Sequence, residues 1–289
     1  MKYILLIILA LAVFFIIIMV IDLNRFVVRR YYVKSPKIKK NCRFVVLSDL
    51  HNKQFGRDND KLYKAICDIN PDGVLIAGDM ITAKPGQNLK PTIDFIKNLA
   101  DKYHIFYGQG NHEYRMELYP NLYGDMLSEF EDGLKECGIG QMKNCCEEIE
   151  ELGICIYGLA IERRFYKRFK IFPMDKGYIA ELIGEPKAEC FNILLAHTPD
   201  YYEEYDAWGA DLVLSGHVHG GLMRLPFLGG VVSPAIRLFP KYDGGLFGGR
   251  NGKMILSRGL GTHTLPIRIF NPGELIVVEL EPDKVAVVK

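Results

Sequence analysis

Residues 43–51 read RFVVLSDLH, a β-branched apolar run of strand length that leads directly into Asp49 and His51. The same pattern recurs at residues 73–79, GVLIAGD, where a second apolar run leads into another aspartate. Between these runs, apolar side chains recur with helical spacing over residues 58–69. A strand, a helix and a strand in this order predict a βαβ unit with parallel strands and a right-handed crossover.

Beyond this unit, short apolar runs predict that strands and helices alternate through the rest of the chain. A helix is expected at residues 92–100, and a helical region at residues 118–137. The predicted architecture is an α/β four-layer sandwich, with two packed mixed β-sheets flanked by helices, over residues 42–289. The further strands are expected at residues 104–107, 153–159, 192–196, 212–215, 253–257 and 274–280.

The composition is that of an ordinary globular protein. Of the 289 residues, 49% are apolar and 25% are charged, which excludes wholesale disorder. The 36 lysines and arginines nearly balance the 35 acidic residues, and a net charge of +1 argues against a nucleic-acid partner. The seven cysteines are odd in number and lack the spacing of a disulfide framework, which favours reduced thiols.

The N-terminus carries a long apolar run. Residues 4–21 contain no charged residue, glycine or proline, and as a helix they measure about 27 Å at roughly 1.5 Å per residue. Such a helix can span a membrane core of about 30 Å. A cleaved secretory signal is one alternative, since residues 10–12 have the form Ala-x-Ala, and a buried core helix is another. We expect residues 1–24 to form an uncleaved single-pass transmembrane anchor.

The residues after the apolar run are basic. Residues 25–41 contain a Ser-Pro break and seven lysines and arginines, and we interpret them as a linker. Because positive charge favours the cytoplasmic side, we expect the domain to face the cytoplasm. An extracytoplasmic domain, with the basic stretch bound to lipid headgroups, stays open as the alternative. The bilayer is therefore an expected partner, and no obligate protein partner is inferred.

Five predicted strands end in side chains that can bind a metal or carry a proton. A single aspartate or histidine in such a position is more often a turn or core residue, so the prediction depends on the whole set. Ligands bind at the carboxyl ends of strands in α/β sheets, and all five clusters can therefore meet at one rim. Oxygen and imidazole ligands without thiolate suit two cations of the Mn, Fe or Zn type. The candidate residues are Asp49, His51, Asp79, Asn111, His112, Glu113, His197, His217 and His219.

These residues occur in the motifs SDLH, AGDM, GNHE, LAHTPD and SGHVHG, in that order along the chain. The set resembles that of the calcineurin-like metallophosphoesterases, and the resemblance covers essentially residues 41–280. The later stretches GGLMRLPFLGG and SRGLGTHTLPIRIFNPGE resemble a membrane-associated bacterial subgroup of phosphodiesterase type. Leu222, Met80 and Ile81 depart from the usual residues of that subgroup without removing a ligand.

The resemblance implies a dinuclear metal site that hydrolyses a phosphodiester or pyrophosphate bond by attack of a metal-bridging hydroxide. It places His112 beside the scissile phosphate, to stabilise the transition state or to protonate the leaving oxygen. Glu113 is expected either to orient His112 or to be an ordinary surface carboxylate. The implied ligands are Asp49, His51 and His219 for one metal and Asn111, His197 and His217 for the other, with Asp79 bridging both.

Residues 162–176, ERRFYKRFKIFPMDK, combine basic and aromatic side chains. Two interpretations stay open, namely insertion among anionic lipid headgroups, or a solvated loop whose aromatic residues pack on the domain. The first interpretation and the subgroup resemblance favour a lipid-linked substrate such as UDP-2,3-diacylglucosamine. The alternative functions are a phosphomonoesterase or phosphoprotein phosphatase, a nuclease and a non-catalytic membrane scaffold. The sequence has no stripe of clustered basic residues for binding DNA, which argues against the nuclease. The full set of candidate ligands argues against the scaffold.

Overall fold

A computed structural model describes residues 1–167, 170–225, 228–232, 238–262 and 265–283. The α-helices of the described residues are α1 (Lys2–Leu23), α2 (Asp60–Ile69), α3 (Lys90–Ala100), α4 (Asn111–Leu118), α5 (Pro120–Tyr123), α6 (Met126–Lys135), α7 (Tyr178–Ile183) and α8 (Tyr202–Trp208). The strands are β1 (Phe26–Ser35), β2 (Cys42–Leu47), β3 (Gly73–Ala77), β4 (Ile105–Gly108), β5 (Gln141–Met142), β6 (Cys145–Ile149), β7 (Ile154–Gly158), β8 (Phe191–Leu195), β9 (Leu212–Ser215), β10 (Met223–Leu225), β11 (Gly229–Val232), β12 (Gly245–Gly248), β13 (Lys253–Leu256) and β14 (Gly273–Pro282).

Within the described part of the chain, the strands form two six-stranded mixed sheets and one hairpin. The first sheet has the order β1-β14-β2-β3-β4-β5, and the second has the order β12-β13-β9-β8-β7-β6. Strands β2 to β5 run parallel, as do β13, β9, β8 and β7. The predicted βαβ unit is confirmed, because β2 and β3 are parallel neighbours connected through α2.

The core has three layers, because strand residues alternate between the two faces of each sheet. In β2, Val45 packs towards α2, where Leu62 and Ile66 lie one turn apart on the buried face. The next residue along the strand alternates, so Phe44 packs between the sheets together with Ile193 of β8. The outer face of the second sheet packs against α7 and α8. The predicted fold class, two packed mixed sheets flanked by helices, is therefore confirmed.

The segment after the apolar helix differs from the sequence expectation. The linker predicted at residues 25–41 is wrong for its larger part, because Phe26–Ser35 form β1 and pair with β14 over ten residues. Val33 is buried, and the guanidinium of Arg29 lies 2.7 Å from the buried carboxylate of Glu274 on β14. The positive charges that made this stretch resemble a linker are thus partly matched by acidic residues almost 250 positions away.

Helix α1 is the one helix in the described residues that is long and apolar enough to cross a membrane. Its 22 residues have a mean hydropathy of 3.7 in the most apolar window, and they measure about 33 Å at roughly 1.5 Å per residue. Most of its side chains are exposed. The side of the helix that bears Phe15, Ile18, Met19 and Leu23 is half-buried against the body, and Asp22 is fully buried.

Candidate functional site

The predicted clusters meet where the two sheets face each other. The first sheet contributes Asp49 after β2, Asp79 after β3 and Asn111 after β4, and the second contributes His197 after β8 and His217 after β9. The two sheets are connected directly at this rim, because the backbone N–H of His217 donates to Asp49 Oδ1 at 3.0 Å. The structure therefore brings together residues that lie up to 170 positions apart in the sequence.

Asp49, His51 and His219 form a first group of candidate metal ligands, the first ligand group. Their ligand atoms lie within 4.8 Å of one another, and all three residues are buried. The Nε2 atom of His219 is 3.5 Å from Asp49 Oδ1, and that of His51 is 3.8 Å from the same oxygen. One carboxylate and two imidazoles at this separation suit a divalent transition metal.

Asp79, His197 and His217 form a second ligand group, whose atoms also lie within 4.8 Å of one another. Asp79 Oδ2 is 3.0 Å from His197 Nε2 and 3.8 Å from His51 Nε2, so this carboxylate lies between the two groups. Asn111 Oδ1 is buried and has no hydrogen-bond partner among the described residues. A buried amide oxygen without a hydrogen-bond donor is suited to bind a cation.

Two of the histidine rings are held through Nδ1. This nitrogen lies 2.7 Å from the carbonyl oxygen of Ala77 in His197, and 3.2 Å from that of Gly261 in His219. A carbonyl oxygen can only accept, so the neutral ring carries its proton on Nδ1 and presents the Nε2 lone pair to the aspartates. Metal-ligating histidines are typically oriented in this way, and the residues present therefore fit a pair of divalent cations.

His112 has the opposite hydrogen-bond pattern. Its Nδ1 accepts from the backbone N–H of Ala83 at 2.9 Å, so the neutral ring carries its proton on Nε2. Its backbone N–H donates to Asp79 Oδ1 at 2.8 Å, and its ring centroid lies 4.8 Å from that of His51. His112 is therefore a buried hydrogen-bond donor beside both ligand groups.

Glu113 is fully buried in the first turn of α4 and binds the loop that carries Asp79. Its carboxylate accepts from the backbone N–H groups of Asp79, Met80 and Gly110 at 2.9–3.1 Å, and from the Tyr107 hydroxyl at 2.9 Å. Burial and the nearby Asp79 carboxylate raise the pKa of Glu113 to about 7. The interpretation as a surface carboxylate is wrong, and these hydrogen bonds hold the loop after β3.

Five residues of the two groups have left-handed backbone conformations. Asp49, His51, Asp79, His217 and His219 have φ between 50° and 73°. For a residue with a Cβ atom this conformation costs roughly 1–2 kcal/mol. Such strain persists only where the surrounding structure enforces it, and it concentrates at functional sites. Because five candidate ligands have this conformation, the geometry of the rim is maintained at a cost in folding stability.

The electrostatics of the rim favour a bound positive charge. Burial raises the pKa of Asp49, and the neighbouring Asp79 carboxylate adds to the rise against the opposing effect of His197. Burial also opposes ionisation of Asp79, but His197 and His112 hold its pKa well below the usual range. Burial alone would lower the pKa of His197, yet Asp79 raises it to about 10, whereas burial and the adjacent His197 lower that of His217 to about 3.

The basic and aromatic insert of residues 162–176 packs on the domain where the structure describes it. Phe165 is buried, with its ring 5.1 Å from that of Tyr201, and Phe172 is half-buried against the outer core of the second sheet. These contacts favour the interpretation as a loop that packs on the domain. Residues 168–169 of the insert lie outside the described residues.

Tyr166 lies against the second ligand group, which the sequence did not predict. Its ring centroid is 5.7 Å from that of His217 and 6.4 Å from that of His197. Burial raises the pKa of its hydroxyl group, with a further contribution from Asp79, so the phenol stays neutral. No motif marks this residue, because it reaches the site only when the 3₁₀ turn Arg163–Tyr166 folds over the strand ends.

Comparison with known proteins assigns the family. The family model described as calcineurin-like phosphoesterase matches residues 42–221, which include every candidate site residue predicted from the sequence. The chain therefore belongs to the calcineurin-like phosphoesterase family.

Individual relatives agree with this assignment. An uncharacterized metallophosphoesterase of Campylobacter jejuni, Cj0846, is 30% identical over 260 residues, which cover 87% of this chain and 62% of the relative. An uncharacterized metallophosphoesterase of Aquifex aeolicus is 26% identical, with 88% of this chain and 91% of the relative covered. The phosphodiesterase YaeI of Escherichia coli is 26% identical, with 82% of each chain covered. The chain thus spans less than two thirds of the first of these relatives.

Proposed function

We propose that the protein is a metal-dependent hydrolase of phosphoric esters, most specifically a phosphodiesterase or pyrophosphatase. The observation that carries the proposal is the pair of ligand groups, which share Asp79 and turn histidine Nε2 atoms towards two buried carboxylates. Membership of the calcineurin-like phosphoesterase family supports the reaction class, and the similarity to a relative named phosphodiesterase supports the diester.

The donor set suits two cations of the Mn, Fe or Zn type, because it combines imidazole with oxygen ligands and contains no thiolate. Two such cations, when bound, supply neutralisation of phosphoryl charge and a water that ionises near neutral pH. The proposed ligands are Asp49, His51 and His219 for one cation and Asn111, His197 and His217 for the other, with Asp79 shared.

His112 is the proposed catalytic residue. Its Nδ1 accepts from the backbone N–H of Ala83, so the neutral ring carries its proton on Nε2, and this N–H is the proposed donor to the substrate. It stabilises charge on a phosphoryl oxygen or transfers its proton to the leaving oxygen, which is a poor leaving group as an alkoxide. Glu113 keeps the Asp79 loop in place through its buried hydrogen bonds.

We further propose that α1 anchors the protein in a membrane, with residues 4–21 in the bilayer. The basic residues that follow favour a cytoplasmic body. A lipid-linked phosphoester, of the class that includes UDP-2,3-diacylglucosamine, is the proposed substrate, because an anchored enzyme meets such molecules by diffusion in the same bilayer.

The test uses the full-length protein in detergent with bis-p-nitrophenyl phosphate. We expect hydrolysis only after a divalent transition metal is added. Asp79→Asn should lose both bound metal and activity, whereas His112→Ala should keep its metal and lose roughly 10²–10⁴-fold in turnover. His104→Ala is the matched control, since this histidine is exposed and pairs with Glu147 on the surface. Wild-type turnover in both site variants would contradict the mechanism.

A phosphomonoesterase or phosphoprotein phosphatase with the same ligands is the alternative reaction. Faster hydrolysis of p-nitrophenyl phosphate or a phosphopeptide than of the diester would favour it. Metal-dependent turnover of any of these substrates would contradict a non-catalytic membrane scaffold.

A further inference from the structure

The apolar helix and the ligand groups lie at the same end of the strands of the first sheet. Helix α1 leads into β1, whose first residue, Phe26, pairs with Gly273 at the start of β14. Because β14 runs antiparallel to β2, the start of β14 lies beside the carboxyl ends of β2, β3 and β4. Asp49 and Asp79 are positioned at these carboxyl ends. The ring of Phe26 lies 5.0 Å from that of Phe55, which follows the first ligand motif.

Hydrogen bonds connect the last turn of α1 to a ligand histidine. The carboxylate of Asp22, which is 1% exposed, accepts from the backbone N–H of Asn271 at 2.9 Å. The side-chain amide of Asn271 in turn donates to the carbonyl oxygens of His219 and Gly221, both at 2.8 Å. The helix is therefore held in a defined position relative to the site, and a flexible tether does not separate the two.

The last residue of the loop 265–270, Phe270, packs against α1. The ring centroid of Phe270 is 6.5 Å from that of Phe14 and 6.4 Å from that of Phe15. Phe15 lies eight residues before the end of α1, which corresponds to about 12 Å at roughly 1.5 Å per residue. If α1 fills a hydrocarbon core of about 30 Å, Phe270 lies inside that core. Phe270 is 40% exposed, so it presents apolar surface there, and Leu265 of the same loop is 47% exposed.

Basic side chains surround the level at which α1 ends. Arg25 and Arg29 follow the helix. Each pairs with a buried carboxylate, of Asp22 and of Glu274, and their side chains are still 53% and 40% exposed. Lys53, in the segment after the first ligand motif, donates to Asn24 Oδ1 at 3.0 Å. Apolar side chains at acyl-chain depth and basic side chains at headgroup depth are the arrangement of a surface that contacts an anionic bilayer.

We propose that the loop of residues 265–270 is a second membrane contact, inserted into the bilayer that α1 spans. The carboxyl ends of the strands, with the ligand groups, then face the headgroups. The occupant of this surface is the lipid bilayer itself. The consequence for the substrate rests on the proposed phosphoesterase function: a phosphoester at headgroup level reaches the ligand groups while its acyl chains stay in the membrane.

Quenching of tryptophan fluorescence by brominated lipids tests the contact. The chain has one tryptophan, Trp208, which lies at the end of α8 just before the amino end of β9 and therefore at the opposite edge of the second sheet. Full-length Trp208→Phe/Phe270→Trp is placed in vesicles of phosphatidylcholine and phosphatidylglycerol whose acyl chains carry bromine. We expect the reporter at position 270 to lose fluorescence relative to vesicles without bromine, and the native Trp208 of the unaltered protein to keep it.

A second reporter keeps the test valid if Phe270→Trp disturbs folding. Leu265→Trp in the same Trp208→Phe background should be quenched as well, because Leu265 lies in the same loop and is exposed. Unquenched fluorescence from both reporters in folded protein would overturn the membrane contact. Quenching requires neither metal nor turnover, so an inactive protein that is quenched at position 270 contradicts the proposed function alone.

Discussion

At the scale of single residues, the groups that hold the ligands are as informative as the ligands. Glu113 is the clearest case, because its buried carboxylate accepts hydrogen bonds from two backbone N–H groups of the Asp79 loop and from that of Gly110. In Glu113→Gln, an amide NH₂ replaces one acceptor and faces backbone donors. We expect metal affinity to fall roughly 10–100-fold, as for other partners that orient metal ligands. Titration of the metal-free protein with Mn²⁺ or Zn²⁺ measures the change.

Tyr107→Phe is the control for this prediction. It removes one of the hydrogen bonds to the same carboxylate and leaves the three backbone donors in place. Its metal affinity should therefore change much less than that of Glu113→Gln. Equal affinities in the wild type and Glu113→Gln would show that the Asp79 loop keeps its shape without the carboxylate.

Tyr166 supports a second prediction at this scale. Its ring packs against His217 and His197, and its neutral phenol adds little charge to the site. Tyr166→Phe should retain most activity, whereas Tyr166→Ala should lower kcat/KM roughly tenfold, equivalent to about 1.4 kcal/mol of transition-state stabilisation. Bound metal, measured by elemental analysis, should stay the same in both variants. Loss of metal in Tyr166→Ala would instead show that the ring is needed to hold the ligands.

At the scale of elements, the turns that follow the strands limit what the site tolerates. Gly216 separates β9 from His217, and a Cβ atom there would overlap with Ser48 Oγ and Asp49 Oδ2 at the end of β2. Gly216→Ala must therefore displace these two side chains or move the ends of the two strands apart. We expect a loss of about 1–3 kcal/mol in the free energy of unfolding, together with weaker metal binding. Gly140→Ala is the matched control, because its Cβ would meet nothing within 4 Å. Thermal unfolding of both variants, with and without metal, measures the difference.

The same scale shows which elements a sequence can reveal. β9 coincides with its predicted range, and β3 occupies the apolar part of the stretch 73–79, because both faces of these strands are buried and their apolar runs are therefore continuous. β1 was missed because half of its residues face outward, and its charges are matched only by the distant β14. That the candidate ligands come together was predictable, because each follows a recognisable strand. Tyr166 and Asn271 were not, since a turn and a loop bring them to the rim through long-range contacts.

At the scale of the whole molecule, α1 and β1 have different relations to the body although they are adjacent in sequence. Helix α1 is mostly exposed and contacts the body through one side of its last turns. β1 completes the first sheet along the full length of β14, and its Arg29 neutralises the buried Glu274. We therefore expect the domain that folds as a unit to begin near residue 26, which is earlier than residue 42, the start predicted from the sequence.

Two truncated forms test this boundary. A form that begins at residue 25 keeps β1, and we expect it to unfold cooperatively and to bind metal. A form that begins at residue 36 leaves the edge of β14 unpaired and Glu274 without its arginine, and unpaired edges promote aggregation. Its Tm should be lower, and it should associate on size-exclusion chromatography. Removing a strand that pairs over ten residues should lower the free energy of unfolding. Identical Tm values for the two forms would therefore mean that residues 26–35 are a linker, as their charges suggest.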